Sequence, residues 1–191
     1  HLPPAPLQLY TALSKLNPAP HAAYLRLDPY RLGESTGVGS FGPTGRAVVS
    51  SSPERFLRVT RGGRVECKPI KGTAARGASP IEDRALAERL QSAEKEQSEN
   101  RMLVALIRNA LSRVSQIGSV EVPALIAIES FPSVHHLGST IQADLETGRH
   151  ALDAIAAAFP PGSMTGAPKV RTMRIIDHLE RSEPRGVYSG S

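Results

Sequence analysis

Lys71 stands in the run KPIKGTAARG (68–77), behind an apolar stretch and ahead of a Gly-Thr pair. A lysine aimed into a pocket can attack carbon through its amine, whereas a lysine at a surface turn only solvates the chain. A second run, PPGSMTGAPK (160–169), places small residues ahead of a helix. Free N–H groups and the positive end of a helix dipole suit a carboxylate or a phosphate, although the same residues also make a plain solvent-facing helix start. Thr165 is placed to cap that helix, with Pro168 in its first turn. His135 and His136 are neighbours in SVHHLGST, and strand neighbours point to opposite faces, so one of them can line a pocket. Glu99 lies on a helix in KEQSEN, and Glu54 lies at a turn in SSPERF. Taken singly, each carboxylate is also compatible with a solvated surface.

Composition narrows the class. The chain has 191 residues, enough for a real core in one domain, and with 40% hydrophobic and 21% charged residues it is of globular and not disordered type. The net charge of +5 is spread along the chain. Dispersed charge, with four Phe, four Tyr and no Trp, argues against nucleic acid and suits a small anionic ligand. The lone cysteine, Cys67, can build neither a disulfide framework nor a cysteine metal cage, and it points to a reducing, cytoplasmic setting. No apolar run reaches the ~18 residues of a membrane span, so no membrane partner is expected. The chain lacks an initiating Met and stops on RGVYSGS, which reads as a piece of something longer.

The elements that must position these residues follow from periodicity. Pro6–Leu16 reads as a short helix, 22–27 as a strand and 28–45 as a loop. Strands are predicted over 46–51, 55–60 and 65–70, the last two joined by a turn at RGGR (61–64). Ser79-Pro80-Ile81-Glu82 has capping-box spacing for a first helix. A second helix near 93–114 buries Met102, Leu103, Leu106, Ile107, Ala110, Leu111 and Val114. Strands at 119–123, 125–130 and 134–144 follow, then helices near 149–159 and 167–181, the last with Val170, Met173, Ile176 and Leu179 as its apolar face. Grouped strands and grouped helices predict an α+β fold, a layered, largely antiparallel sheet core with helices packed outside.

The runs KPIKGTAARG, KEQSENRMLVALIRN, ESFPSVHHLGST, FPPGSMTGAPKVRTMRIIDHLE and RGVYSG occur in one order, and together they resemble the chorismate-utilising enzyme family. That family includes the anthranilate, aminodeoxychorismate, isochorismate and salicylate synthases. The resemblance covers the chain from about residue 10. It implies that Ser163, Thr165, Gly166 and Ala167 bind a substrate carboxylate, with Thr73 and Tyr188 as further substrate contacts. It implies that Glu99 ligates Mg²⁺, a cation that takes oxygen ligands. Glu54 matches the glutamate that handles protons at the leaving hydroxyl, and His136, not His135, the histidine near the substrate ring. Anthranilate and isochorismate synthases typically carry alanine where Lys71 stands. Lysine there implies amination of chorismate to 4-amino-4-deoxychorismate, on the path to p-aminobenzoate and folate. Ammonia would come from a glutamine amidotransferase partner subunit. Lys68, an odd number of residues away, is expected to face the other way.

The sequence also departs from the family pattern. Ala105 and Ala110 replace two carboxylates of the long helix, which puts its docking in question. Pro161 replaces a residue with a backbone donor beside the anion loop. The resemblance implies that residues 1–191 form the central part of a single chorismate-binding domain, incomplete at both ends. By themselves they are expected to turn over little substrate. The rival readings are an anthranilate synthase and a truncated, non-catalytic fragment.

Overall fold

The computed structural model describes residues 5–27 and 46–186, so the loop expected at 28–45 and the candidate Tyr188 lie outside the described residues. The chain divides into two compact units, His1–Arg55 and Phe56–Ser191.

In the first unit, helix α1 (Pro6–Leu16) precedes an antiparallel pair, β1 (His21–Leu27) and β2 (Arg46–Ser52), in register from His21↔Ser52 to Leu27↔Arg46. The Ser51 hydroxyl donates to the Asn17 carbonyl at 2.9 Å and accepts from the Asn17 amide group at 3.2 Å, which ties the end of α1 to β2.

The second unit is built on β7 (Val134–Asp144). Strands β4 (Arg64–Cys67) and β5 (Ile70–Ala75) run along one edge of β7, and β6 (Glu121–Ser130) runs along the other. The short β3 (Arg58–Val59) pairs with β4. Every pairing is antiparallel, as the sequence predicts. The strand expected at 65–70 is divided. Cys67 pairs with Ile141 and Ile70 with Gly138, so the register continues across Lys68-Pro69 while the ladder does not. Proline has no N–H to give a ladder. The strands expected at 119–123 and 125–130 form one: among the described residues β6 pairs with β7 alone, which leaves Pro123 owing no N–H to a second ladder.

Helices α2 (Pro80–Gln91), α3 (Glu94–Leu111) and α4 (Ala151–Ala158) are followed by α5 (Gly162–Thr165) and α6 (Lys169–Leu179). Ser79 caps α2 as its spacing predicts: its hydroxyl accepts from the Glu82 amide, and Glu82 accepts from the Ala78 amide. Along β7, residues 135, 137, 139, 141 and 143 are buried while their neighbours are half-buried. The buried set faces the helices. Val65, Cys67, Ile141 and Ala143 of the sheet pack with Val104 and Leu111 of α3, Val114, and Ala154 of α4. The docking of α3 thus rests on its apolar face, with Ala110 buried and Ala105 exposed. Leu111 is completely buried, and Leu111→Ala should lower unfolding free energy by about 2–5 kcal/mol, read from denaturant midpoints. Helix α6 differs from expectation: none of its residues is buried, and Val170, Met173 and Leu179 are exposed. Among the described residues, no helix is long and apolar enough to cross a membrane.

Candidate functional site

The lysine run owes its geometry to a bulge. Ile70 pairs with Gly138 and Thr73 with His136, so Lys71 and Gly72 together oppose the single residue Leu137. Two residues against one break the alternation of faces and re-aim a side chain. Gly72 adopts φ 101°, and a Cβ there would come within 2.9 Å of both Glu96 and Leu90. Glycine is therefore the residue that fits, for backbone and for space. Lys71 is turned toward α3, and its Nζ lies 3.7 Å from a carboxylate oxygen of Glu99, with the two side chains 25% and 42% exposed. The structure thus brings together the candidate nucleophile and the candidate metal ligand. Lys68 goes elsewhere, to an ion pair with Glu129 on β6.

Thr73 and His136 are directly paired, and paired residues share a face. That face is the one away from the helices, because His135, on the other face, reaches Asp83 of α2. The His136 ring packs against Phe131 with centroids 5.2 Å apart. Its Nδ1 is buried without a hydrogen-bond partner among the described residues. Buried polar atoms are nearly always hydrogen-bonded, so this nitrogen has capacity for a partner. Lys71 and Thr73 thus serve opposite faces of β5, two residues and ~7 Å apart along the strand. Glu54 belongs to the first unit, where its amide donates to the Ser52 hydroxyl at 3.3 Å and its carbonyl accepts from it at 2.9 Å.

The anion-loop candidates take a shape the sequence did not foretell. Residues 162–165 form the one-turn helix α5, and α6 begins only at Lys169. Thr165 is buried and does not cap α6: its hydroxyl lies 3.3 Å from the Gly166 carbonyl and 3.5 Å from that of Pro161. Pro168 is the N-cap residue of α6 and not part of its first turn. Gly166 turns the chain at φ 74°, with Ser163 and Ala167 exposed beside it. A Cβ on Gly162 would meet Leu106 at 3.0 Å and Leu103 at 3.2 Å, so α5 sits on α3. Leu103 is four residues after Glu99, about 6 Å along the helix. Pro161, whose lost N–H was a concern, acts through its carbonyl, which accepts from the amides of Met164 at 3.0 Å and Thr165 at 3.3 Å.

Asp83 ties α2 to the sheet. It accepts from Arg76 through both oxygens at 2.7 and 2.6 Å, from the Gly77 amide at 2.9 Å, and contacts His135 Nε2 at 2.9 Å. The Arg76 guanidinium, then the Gly77 amide, hold the Asp83 carboxyl well below its ordinary value of 3.8. A carboxyl depressed in the folded state adds stability above its unfolded pKa, and that stability is lost as pH falls through the folded one. Asp83→Asn should therefore lower the urea midpoint at neutral pH, and the gap to wild type should narrow as pH falls below 3.8. A gap that stays constant with pH would show that the charge of Asp83 contributes nothing.

Two residues of the site were missed by sequence reasoning: Asn100 and Ser139, both buried. Each is a polar residue on an apolar period. Ser139 alternates with Leu137 and Ile141, and Asn100 precedes Leu103 and Val104 by three and four positions. That interruption was the available signal. As for a metal, Glu99 offers the carboxylate oxygen that Mg²⁺ takes. Among the described residues no three His, Cys, Asp or Glu side chains converge, so the donor type fits while a full shell is not assembled.

The sequence profile described as chorismate binding enzyme matches residues 1–191. The chain is 50% identical over 186 residues to a protein of Streptomyces pristinaespiralis named aminodeoxychorismate synthase, covering 97% of this chain and 24% of that one. It is 44% identical over 184 residues to aminodeoxychorismate synthase component 1 of Escherichia coli, covering 96% of this chain and 37% of that one. Among solved structures it resembles anthranilate synthase component I from Streptococcus pneumoniae, with a TM-score of 0.74 and 35% identity over 99% of this chain and 37% of that one. The chain thus spans 24% to 37% of the length of these relatives.

Proposed function

The chain belongs to the chorismate binding enzyme family, and from that premise we propose that it forms the central part of the domain in which a parent protein aminates chorismate to 4-amino-4-deoxychorismate. The observation that carries the proposal is Lys71, turned by its bulge toward Glu99, in a chain half identical to a named aminodeoxychorismate synthase. Lys71 attacks the substrate ring through Nζ as its free base. A new N–C bond forms, the ring double bonds shift, and the C4–O bond breaks, the hydroxyl leaving with one proton as water. Ammonia then bonds to C4, the double bonds shift back, and the lysine nitrogen departs with its original complement of protons. His136 presents an unpaired ring nitrogen, but it lies with Thr73 on the sheet face opposite the one that Lys71 serves, so this geometry does not support either of them at the departing oxygen. Ser163, Thr165, Gly166 and Ala167 are the proposed contacts for the remainder of this dicarboxylate.

Glu99 would hold Mg²⁺, which when bound supplies positive charge opposite a substrate carboxylate. The proposed partners are chorismate, ammonia and a glutamine amidotransferase subunit, in keeping with the component 1 names of bacterial relatives. A single cysteine in 191 residues, Cys67, supports a reducing, cytoplasmic setting. Likeness to anthranilate synthase component I favours a second reading, amination at another ring carbon. The test is product identity: the parent protein, given chorismate, ammonium and Mg²⁺, should release 4-amino-4-deoxychorismate. Anthranilate as the main product would decide for the second reading.

A further inference from the structure

We infer that Asn100 and Ser139 are positioning residues that set the Lys71–Glu99 geometry. The inference rests on the proposed role of that pair. Asn100 has no exposed surface, and it is the residue next to Glu99 on α3. Its side-chain amide donates to the Pro69 carbonyl at 3.4 Å, and its side-chain oxygen accepts from the Ser139 hydroxyl. The same Pro69 carbonyl accepts the Ser139 amide at 3.1 Å. Pro69 lies two residues before Lys71, at the point where the β4–β5 ladder is interrupted. Asn100 therefore joins the helix that carries Glu99 to the chain that delivers Lys71, one residue from the first and two from the second. The Ser139 hydroxyl also accepts from the Ile126 amide at 2.9 Å, where β6 adopts a left-handed φ of 53°. One serine thus ties β7 to β6, to Pro69 between β4 and β5, and to α3.

A well-packed apolar side chain would hold α3 against the sheet at least as well as this polar cluster does. Buried polar groups must all be satisfied, and a half-satisfied network is worse than none. What an amide bonded through both its nitrogen and its oxygen adds is direction: it fixes α3 in axial position and in rotation relative to Pro69. Lys71 and Glu99 are long side chains, and their separation follows the backbones that carry them. Gly72 limits the approach from the other side, because Glu96 and Leu90 already touch it.

The test reads the pair directly and needs neither substrate nor metal. In the full-length protein, the rate at which an amine-reactive succinimidyl ester labels Lys71 is followed by peptide mass spectrometry. Glu99→Gln, which removes the partner, should raise that rate by about threefold, the scale of a half-exposed ion pair. Asn100→Leu should raise it by a similar factor, and the double variant should be no faster than either alone. Leu103→Ala, a comparable core loss one turn further along α3, should lower the thermal midpoint and leave the labelling rate unchanged. Ser139→Ala serves the same comparison if Asn100→Leu does not fold. Wild-type labelling in the Asn100 and Ser139 variants, or factors that multiply with that of Glu99→Gln, would overturn the inference. Because labelling does not depend on turnover, these outcomes are separate from failure of the amination reading, which Lys71→Ala kinetics tests.

Discussion

Lys71→Ala in the full-length parent should lower turnover with chorismate and ammonium by about 10²–10⁴-fold, the range for loss of a positioned reacting group. The substitution removes the amine and leaves the fold in place, since the side chain is part-exposed and its only described partner is Glu99 across 3.7 Å. When ammonia is withheld, the wild-type protein should accumulate a covalent adduct of substrate mass on the peptide containing Lys71. The alanine variant should show none. Residual turnover is expected, because ammonia can still attack the ring directly, and part of the product can shift to attack at another carbon. Lys71→Arg separates chemistry from charge: arginine keeps the positive charge but is never the free amine that attack requires. It should be as slow as alanine. Rescue by arginine, with no adduct under any condition, would instead make Lys71 an electrostatic aid and would leave chorismate as the ligand.

Glu99→Gln should abolish the response of the parent protein to Mg²⁺ while leaving its unfolding midpoint near wild type. Glutamine has the same shape but no charge, and Mg²⁺ discriminates strongly for anionic oxygen. The loss of fold stability should stay under about 1 kcal/mol, because the carboxylate is 42% exposed and its ion pair with Lys71 is half-solvated. The half-saturating Mg²⁺ concentration should rise by more than the 10–100-fold typical of losing a residue that merely supports a ligand. An unchanged half-saturation would remove Glu99 from the metal site and leave its role as partner of Lys71 to be measured by the labelling rates. Aspartate at this position keeps the charge on a shorter arm, and it should restore part of the Mg²⁺ response.

Much of the fold was legible because its rules are local. Ser79-Pro80-Ile81-Glu82 starts α2 through bonds that reach no further than four residues. The strand expected over 134–144 appears residue for residue as β7, and the structure buries alternate residues of it. Helix α3 shows its apolar period, although the buried set adds Val104 and leaves Met102, Leu106 and Ile107 only half-buried. Errors gathered where a residue's neighbour is distant in sequence. The 65–70 strand is divided at Pro69 because proline has no N–H to give the ladder with β7. Thr165 was expected at a helix start and went into a one-turn helix, because Gly162 packs directly on Leu103 and Leu106. The expected apolar face of α6 is not buried, because period alone does not say what covers a face.

The sequence by itself determined the class of the protein: the order and types of its elements, and, through five runs in one order, its family. Those are properties of residue type and spacing along the chain, and they survive without coordinates. Only the tertiary structure decided which way Lys71 points. A strict strand would carry Lys71 and Thr73 on one face, and a single extra residue opposite Leu137 sends them to opposite faces. Whether a strand bulges depends on what presses on it, here the close approach of Glu96 and Leu90 to Gly72. Likewise, Asn100 and Ser139 are 39 residues apart in the chain, and no period within either element announces that one will bond the other. Side-chain direction at a site is set by contacts across the core, and those contacts exist only once the helices have closed on the sheet.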